Sequence, residues 1–387
     1  VSSIGIVIAL GTVMGALLEK SGAAETMAKT ILKITGKKHA PLGLAITGYF
    51  VSIPVFCDSA FVLLSPIAKE LSSETRISMT TMATALAMGL HTTHMLVPPT
   101  PGPLAVAGIL GADLGAVVMT GALVSIPVML AGLLVSTKLG SKYVYYPSAI
   151  EVSDDKTSIA LPSASQAFLP ILVPIILMVL KTIAITDARP LGKGAFLGVL
   201  DFLGTPIVAL MIGLVLALGT YMGIRKDKTV YSFDGLFGES LQQAGQIALI
   251  VGAGGAFGAV LKASILKDIL IQYLSSANIG ILAPFIVGAV FRTAIGSGTV
   301  AMVTAATMLS PMLDVFGFAG PTGKLVAMIA CAAGGFMVFH GNDDYFWVIS
   351  SSSEMEPSIA YKVLPLASVA QSFTALAIAY ILKIILL

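Results

Sequence analysis

The chain has 387 residues, of which 56% are hydrophobic and 11% are charged, and its formal net charge is +2. A soluble domain carries about 25% charged residues because it must cover its surface with them, so this composition excludes an ordinary soluble protein. The sequence contains no basic stripe and no alternation of basic and aromatic residues, and we predict no nucleic-acid partner.

Long apolar runs follow one another along the chain, each close to the ~20 residues that an α-helix needs to cross a ~30 Å hydrocarbon core. They predict an all-α, polytopic membrane protein whose solvent is the lipid bilayer. The predicted helices lie at 1–18, 80–110, 116–137, 165–184, 206–223, 241–261, 324–349 and 361–387.

Two further apolar stretches, 41–69 and 280–311, are interrupted near their middle by small polar residues. Residues 57–59 interrupt the first stretch and residues 296–299 the second. Irregular backbone at membrane depth survives only where protein or a watery cavity satisfies its polar groups. We therefore predict that both stretches are re-entrant hairpins rather than spanning helices.

Short matches at one offset indicate an internal repeat. Residues 15–18 resemble 258–261 (258 − 15 = 243), and residues 65–66 match 310–311 (310 − 65 = 245). Three small residues match in the same register, at 330 − 85 = 245: Ala85, Ala87 and Gly89 correspond to Ala330, Ala332 and Gly334.

The repeat predicts two units of opposite orientation. Two helices precede the first marker of the second unit but not that of the first, so we expect the chain to lack about two N-terminal helices. A complete unit would have five crossings and a hairpin, and an odd number of crossings inverts the next unit, as in many secondary transporters. The predicted division is a first repeat at 1–137, a cytoplasmic linker at 138–164 and a second repeat at 165–387.

The distribution of Lys and Arg predicts which loops face the cytoplasm. Basic residues concentrate in the segments 19–40, 70–79, 138–164, 224–240 and 350–362, whereas the opposite loops carry few. By the positive-inside rule these segments are cytoplasmic. The first hairpin would then enter the membrane from the cytoplasm and the second from outside.

Four breaks carry the candidate chemistry, at 54–59, 91–103, 292–299 and 340–344. Proline removes a backbone donor and glycine permits a turn, so each break creates half-helices. The N-terminus of a half-helix offers free N–H groups and a positive dipole end, which suit a carboxylate. A single break can be a packing kink, but four at repeat-related positions favour a substrate site.

Each candidate residue lies in or beside a break. Amides of 296–299, and those of Asp58 and Ser59, would hold a substrate carboxylate, with Arg292 supplying positive charge. Asp58 or Asp343 would carry a coupling proton, since a carboxyl group withdrawn from water is protonated more readily. The predicted substrate-binding residues are Asp58, Ser59, Thr92, Thr93, His94, Arg292, Gly296, Ser297, Gly298, Thr299 and Asn342.

Structural roles compete with these assignments. Arg292 and Asp343 can form a buried ion pair, Ser and Thr hydroxyls can bond the helix backbone, and Asp344 can lie at the water interface. His91 and His94 are as consistent with packing as with function. The glycine-rich segment 252–258 lies in an apolar helix with no preceding strand, so it indicates helix packing rather than a dinucleotide site. We find no metal cluster or nucleophile motif and predict no cofactor, no metal and no enzyme activity.

The stretches 56–66, 93–103, 292–301 and 342–347 resemble the gluconate permease (GntP) family of bacterial proton symporters. The resemblance extends over essentially the whole chain. It implies the fold of the ion transporter superfamily, whose members are homodimers with a scaffold domain and a moving transport domain. It also implies a multi-pass protein of the bacterial inner membrane, with two further N-terminal helices.

We therefore predict proton-coupled symport of gluconate or a related small hydroxycarboxylate into the cell. D-serine, glycerate or another small organic acid is an alternative substrate. A cation/proton antiporter would use the same carboxylates without an organic substrate, and a membrane enzyme or passive channel fits the breaks less well.

Overall fold

The computed structural model describes residues 2–147, 160–185, 195–232, 234–265 and 280–387. Within these residues every regular element is a helix, which confirms the all-α prediction. The sixteen α-helices described are α1 Ser2–Lys20, α2 Ala23–Thr35, α3 Ala40–Val51, α4 Cys57–Thr75, α5 Met79–Leu96, α6 Pro101–Leu110, α7 Leu114–Gly140, α8 Ala164–Ala184, α9 Ala195–Leu203, α10 Pro206–Arg225, α11 Leu236–Ala263, α12 Leu282–Ile295, α13 Gly298–Leu309, α14 Pro321–Gly335, α15 Asp344–Ser352 and α16 Pro357–Leu386.

Four of the described helices, α7, α8, α10 and α16, are long and apolar enough to cross a membrane. α1 and α2 would together make a fifth span, but they are bent by 69° relative to one another. The predicted helices 80–110 and 324–349 are each broken in two, into α5 and α6 and into α14 and α15. Pro98, Pro99 and Pro101 account for the first break, since each lacks the N–H that would continue the helix.

The sequence prediction missed α2 and placed its residues in a cytoplasmic segment. α2 is amphipathic: Met27, Ala28 and Ile31 are buried, whereas Lys29 and Lys33 are exposed. The lysines make the segment too polar for a span, but its apolar face packs against α3 and α8. A short helix of this kind is stabilised by tertiary packing rather than by the bilayer.

The first hairpin stretch breaks at 52–56, which overlaps the predicted break at 54–59 but not the predicted interruption at 57–59. Residues 57–59 form the first turn of α4, and the irregular backbone lies at 52–56, around Pro54. In the second stretch Gly296 and Ser297 separate α12 from α13. Gly296 has a φ of +90°, and Ser297 Oγ accepts from the Val300 N–H at 3.4 Å, capping α13.

The predicted linker at 138–164 is shorter at both ends, because α7 continues to Gly140 and α8 begins at Ala164. Its residues 148–159 lie outside the described part of the chain. Its first residues pack on α5: the Ser78 hydroxyl donates to the Tyr143 carbonyl at 2.8 Å, and the Met79 N–H donates to the Tyr145 carbonyl at 3.0 Å.

Five consecutive helices recur in the two halves at a nearly constant spacing. α3 and α12 begin 242 residues apart (282 − 40), and α7 and α16 begin 243 apart (357 − 114). The packing recurs as well, since α3 lies on α5 as α12 lies on α14. The halves also interlock: α6 of the first packs on α13 of the second, and α4 packs on α15. This regularity supports an internal repeat.

Glycines allow α3 and α5 to approach closely. A Cβ added at Gly89 would lie 2.2 Å from the Ala45 carbonyl oxygen, and one at Gly48 would lie 2.6 Å from the Leu90 nitrogen. Both contacts involve backbone atoms that cannot move aside without separating the helices. The residue type at these positions therefore sets the spacing of the two helices.

We expect Gly89→Ala to destabilise the protein by about 1–3 kcal/mol, because the added methyl group overpacks the α3–α5 contact. Gly219→Ala on α10 is the matched control, since nothing lies within 4 Å of its added Cβ. That control should be neutral or stabilise the helix by about 0.5–1 kcal/mol. Thermal unfolding of both variants in detergent measures the difference, and equal melting temperatures would contradict the expectation.

Candidate functional site

The breaks surround a cavity of about 340 Å³. This volume lies in the range of about 300–1,000 Å³ that is typical of small-molecule sites. Residues from both halves and from α11 contribute to the wall. The cavity is lined by Phe56, Cys57, Asp58, His91, His94, Met95, Pro101, Gln246, Ile247, Arg292, Ser297, Gly298, Thr299, Val300, Phe339, Asp343, Asp344 and Tyr345.

Four helices begin at this cavity: α4 at Cys57, α6 at Pro101, α13 at Gly298 and α15 at Asp344. The first-turn N–H groups of a helix have no acceptor within the helix, and the dipole places positive partial charge there. The N-cap residues of α4 and α6, Phe56 and Thr100, make no side-chain capping bond, but two prolines in the first turn of α6 lack an N–H, so α4 offers more free amides. The convergence of these N-termini contributes positive potential to the cavity, and the carboxyl groups of Asp58, Asp343 and Asp344 on the same wall act against it.

Asp58 is the carboxylate of this cavity that has a buried oxygen without a partner among the described residues. Its Oδ1 atom is buried and has no hydrogen-bond partner among the described residues. Its side-chain neighbour is the Cys57 thiol, whose Sγ lies 3.8 Å from Oδ2. A buried acceptor without a partner is costly unless it takes up a proton or a ligand. Asp58 is therefore chemically suited to both roles.

Arg292, by contrast, is fully engaged with the protein. It is 2% exposed, its Nε donates to the Met337 carbonyl at 3.1 Å, and its guanidinium lies 4.9 Å from the ring centre of Phe339. The guanidinium also donates to the Gly296 carbonyl and forms an ion pair with Asp343. Arg292 thus connects the break after α12 to the break before α15.

Asp343 has both carboxylate oxygens occupied. Oδ2 pairs with Arg292, and Oδ1 accepts from the Tyr345 N–H at 3.0 Å as the N-cap of α15. Its surroundings match the structural alternative, a buried ion pair, that the sequence left open. Of the two carboxylates predicted to carry a proton, Asp58 is the one whose carboxylate has an oxygen without a partner among the described residues.

Two histidines of α5 line the cavity. His94 is 8% exposed, and its Nδ1 has no partner among the described residues. His91 is 3% exposed and lies one turn earlier, with Nδ1 3.3 Å from Gln371 Oε1. Both rings are positioned by the helix period, since residues three apart share a face.

Five of the predicted binding residues lie away from the cavity. Ser59 lines a separate polar cavity of about 240 Å³. The Thr92 hydroxyl donates to the Met88 carbonyl at 2.6 Å, and the Thr93 hydroxyl donates to the Tyr49 carbonyl at 2.9 Å. The first turn of α4 and the last turns of α5 rotate these three side chains away from the cavity that Asp58 and His94 face.

Asn342 and Gly296 do not line the cavity, but they lie in the two breaks of the second half and contact each other there. Asn342 is exposed, and its Nδ2 donates to the Thr293 carbonyl at 2.9 Å. A Cβ at Gly296 would lie 2.1 Å from the Asn342 carbonyl oxygen, so the two breaks are in backbone contact there. The remaining predicted residues, Asp58, His94, Arg292, Ser297, Gly298 and Thr299, are brought together around the cavity.

Several lining residues were not predicted. Met95, Ile247, Phe339 and Tyr345 are apolar or aromatic positions with no signal that separates them from packing residues. Gln246 carried a signal, because an amide within an apolar helix calls for a polar partner or a watery cavity. Asp344, which the sequence allowed at a water interface, also lines the cavity.

Comparison with known proteins identifies the family. The profile of the GntP family permease matches residues 1–385. An uncharacterized permease of Haemophilus influenzae is 39% identical over 366 residues, covering 90% of this chain and 73% of the relative. A gluconate permease of Pseudomonas aeruginosa is 33% identical and covers 99% and 85%. The D-serine transporter DsdX of Escherichia coli K12 is also 33% identical and covers 98% and 85%.

A solved structure shares the fold. The YdaH transporter of Alcanivorax borkumensis aligns with a TM-score of 0.55 over 98% of this chain and 84% of that protein, at 15% sequence identity. The profile match and the identities confirm the resemblance drawn from the sequence. The chain therefore belongs to the GntP permease family, and it is a membrane transporter rather than an enzyme.

Proposed function

We propose that the chain is a proton-coupled symporter that carries gluconate or a related small hydroxycarboxylate across the bacterial inner membrane into the cell. One observation carries the proposal: a carboxylate oxygen of Asp58 is buried, without a partner among the described residues, in a cavity where four helices begin. The helix N-termini supply positive potential for an anionic substrate. Asp58 supplies a group that can exchange a proton.

The substrate carboxylate would lie on the N-terminal amides of α4 and α13, with the Ser297 and Thr299 side chains within the same wall. Arg292 and Asp343 neutralise each other as an ion pair, so they add little net charge. Ionised Asp58 would therefore repel the incoming carboxylate across a poorly screened cavity. Protonation of Asp58 would remove its part of that repulsion and leave the exposed Asp344 beside the ion pair, so proton and substrate would bind together.

Transport would require the cavity to open to each side of the membrane in turn. The recurring helix order supports two repeats, and we propose that they are inverted, with residues 40–75 and 282–309 as the two hairpins. The interlocked hairpins and broken helices would move together against α1, α8, α10 and α11. We further propose that the protein is a homodimer, as the family resemblance implies.

D-serine is a second candidate substrate. One relative of 33% identity is named a gluconate permease and another a D-serine transporter, so identity does not separate the two. A zwitterion needs an anionic partner for its ammonium group as well as N–H donors for its carboxylate. The cavity offers one in Asp344, which lies beside Asp343 at the start of α15.

Uptake into liposomes that contain the full chain tests the proposal. We expect radiolabelled gluconate to accumulate when the lumen is alkaline and to leave when a protonophore collapses the gradient. Unlabelled D-serine, glycerate and a panel of other carboxylates added as competitors identify the substrate. Proton movement driven by sodium or another cation, with no response to any organic acid, would show an antiporter and overturn the proposal.

A further inference from the structure

A buried amide on α16 holds the ring of His91 against the cavity. Gln371 is fully buried, and its Oε1 lies 3.3 Å from His91 Nδ1. The same side chain donates through Nε2 to the Met88 carbonyl at 2.9 Å and to Thr92 Oγ1 at 2.6 Å. Both polar atoms of the Gln371 side chain therefore have partners in the protein core.

These partners fix the orientation of the amide and, through it, the tautomer of the ring. The Met88 carbonyl can only accept, and the Thr92 hydroxyl already donates to that carbonyl, so both contacts require the nitrogen of Gln371. The amide oxygen is then the atom that faces His91. In the neutral ring Nδ1 consequently carries the proton, and Nε2 is a hydrogen-bond acceptor.

Aromatic side chains keep the ring in this position. Phe336 meets it edge-on, with ring centres 4.9 Å apart, and the centre of Phe339 lies at 4.5 Å. His91 lines the cavity, and its hydrogen bond within the described residues is the one through Nδ1. A ligand in the cavity would therefore meet an acceptor whose position and protonation are both set by the protein.

We propose that His91 is a specificity-determining residue, whose Nε2 accepts a hydrogen bond from a hydroxyl group of the substrate, and that Gln371 is the residue that positions it. The inference rests on the proposed function, in which the substrate is a hydroxylated acid. A substrate hydroxyl can donate to Nε2, whereas a hydrogen atom in its place leaves the acceptor unpaired. The site then selects hydroxylated acids over their deoxy analogues.

Competition by substrate and deoxy analogue tests the proposal on the full chain in liposomes. The pairs are gluconate against each mono-deoxygluconate, and D-serine against D-alanine. For the wild type we expect one deoxy position to weaken competition about tenfold, the effect of one lost hydrogen bond in a dry site. The other positions report the remaining contacts and serve as internal references.

Two substitutions at His91 distinguish the roles of its two ring nitrogens, Nδ1 and Nε2. The amide of His91→Asn reaches only as far as Nδ1, so it retains the contact with Gln371 and lacks the acceptor in the cavity. The tenfold penalty should disappear in this variant, whereas the penalties at other positions should persist. The longer amide of His91→Gln reaches the position of Nε2 and should retain most of the penalty.

Gln371→Leu removes the hydrogen bond to His91 Nδ1 and changes no residue that lines the cavity. The loss of competition that the deoxy analogue shows relative to the hydroxylated substrate should then become several-fold smaller. Thr84→Val is the matched control on α5, since Thr84 Oγ1 is buried without a partner among the described residues and does not line the cavity. An unchanged selectivity pattern in His91→Asn and Gln371→Leu would overturn the proposal, and Gln371→Leu decides alone if the first variant does not fold. A wild-type protein that responds to no carboxylate would instead overturn the proposed function.

Discussion

Asp58→Asn is expected to abolish accumulation of the substrate while leaving exchange across the membrane in place. Asn has the shape of the protonated acid and cannot repel the substrate carboxylate, so binding should persist. It cannot release a proton, so the gradient no longer drives transport. Asp58 is chosen because its Oδ1 is buried without a partner among the described residues, whereas both oxygens of Asp343 are paired.

The size of this effect follows from coupling to one proton. A pH difference of one unit corresponds to about 1.4 kcal/mol, which supports about tenfold accumulation. In liposomes with that gradient the wild type should approach tenfold, and Asp58→Asn should remain near onefold. Counterflow of labelled against unlabelled substrate checks that the variant still binds and translocates.

Asp58→Glu is the matched control, because it keeps a carboxyl group in the same part of the cavity. It should retain accumulation, with a changed apparent affinity. If Asp58→Asn still concentrates substrate about tenfold, the coupling proton is carried elsewhere. The proposed arrangement of Asp58 beside the carboxylate would then have to be given up.

Arg292→Met is expected to cause a large loss of stability. The substitution leaves Asp343 as a buried charge without its partner, a change that costs about 3–5 kcal/mol. It also removes the donors to the Gly296 and Met337 carbonyls. Thermal unfolding in detergent, followed by size-exclusion chromatography, should show a clear decrease in melting temperature.

The double variant Arg292→Met with Asp343→Asn tests the cause. Asn keeps the N-cap of α15 and removes the charge, so much of the lost stability should return. A protein that carries Arg292→Met, keeps wild-type stability and fails to bind substrate would show that Arg292 is a direct ligand. That result would contradict the structural role inferred from its contacts.

Most helices could be predicted from the sequence because an apolar run of membrane length satisfies its backbone polar groups in lipid only as a helix or a closed barrel. The breaks could also be located, since Pro and Gly act on the local backbone regardless of tertiary structure. α2 was not predicted because its lysines lower the hydropathy of the segment, and its apolar face becomes evident only from its packing against α3 and α8. Residues 57–59 were wrongly assigned to the first break, which ends at residue 56, because these polar residues begin a helix instead of ending one.

The candidate site was predicted in part for a related reason. Asp58, His94 and Thr299 were found because they lie within the predicted breaks, which the structure resolves as the end turns of α4, α5 and α13. Thr92 and Thr93 are adjacent to His94 in sequence, but the rotation of α5 directs their hydroxyls to the Met88 and Tyr49 carbonyls. Which face of a helix meets a cavity depends on packing, and the sequence near a break does not encode it. Gln246 is brought to the cavity by α11, far away in the chain.

The ion pair that joins the two breaks of the second half has no counterpart at the equivalent described positions of the first. At the spacings of the recurring helices, Arg292 corresponds to Phe50 (292 − 242) and Asp343 to Thr100 (343 − 243). Phe50 packs against Phe168 of α8, with ring centres 5.8 Å apart, and the Thr100 hydroxyl bonds its own turn at the Val97 carbonyl.

The recurring helices thus differ in one respect: an ion pair joins the two breaks of the second half, and the equivalent described positions of the first half have none. In the second half the Arg292 guanidinium contacts both breaks, whereas in the first half Phe50 and Thr100 make apolar and local contacts at the equivalent positions. Asp58, whose Oδ1 has no partner among the described residues, belongs to the half without that ion pair. A change in its charge would therefore act on the half that has apolar and local contacts at the places where the other half has its ion pair, and that ion pair would keep the two breaks of the second half together as the hairpins move.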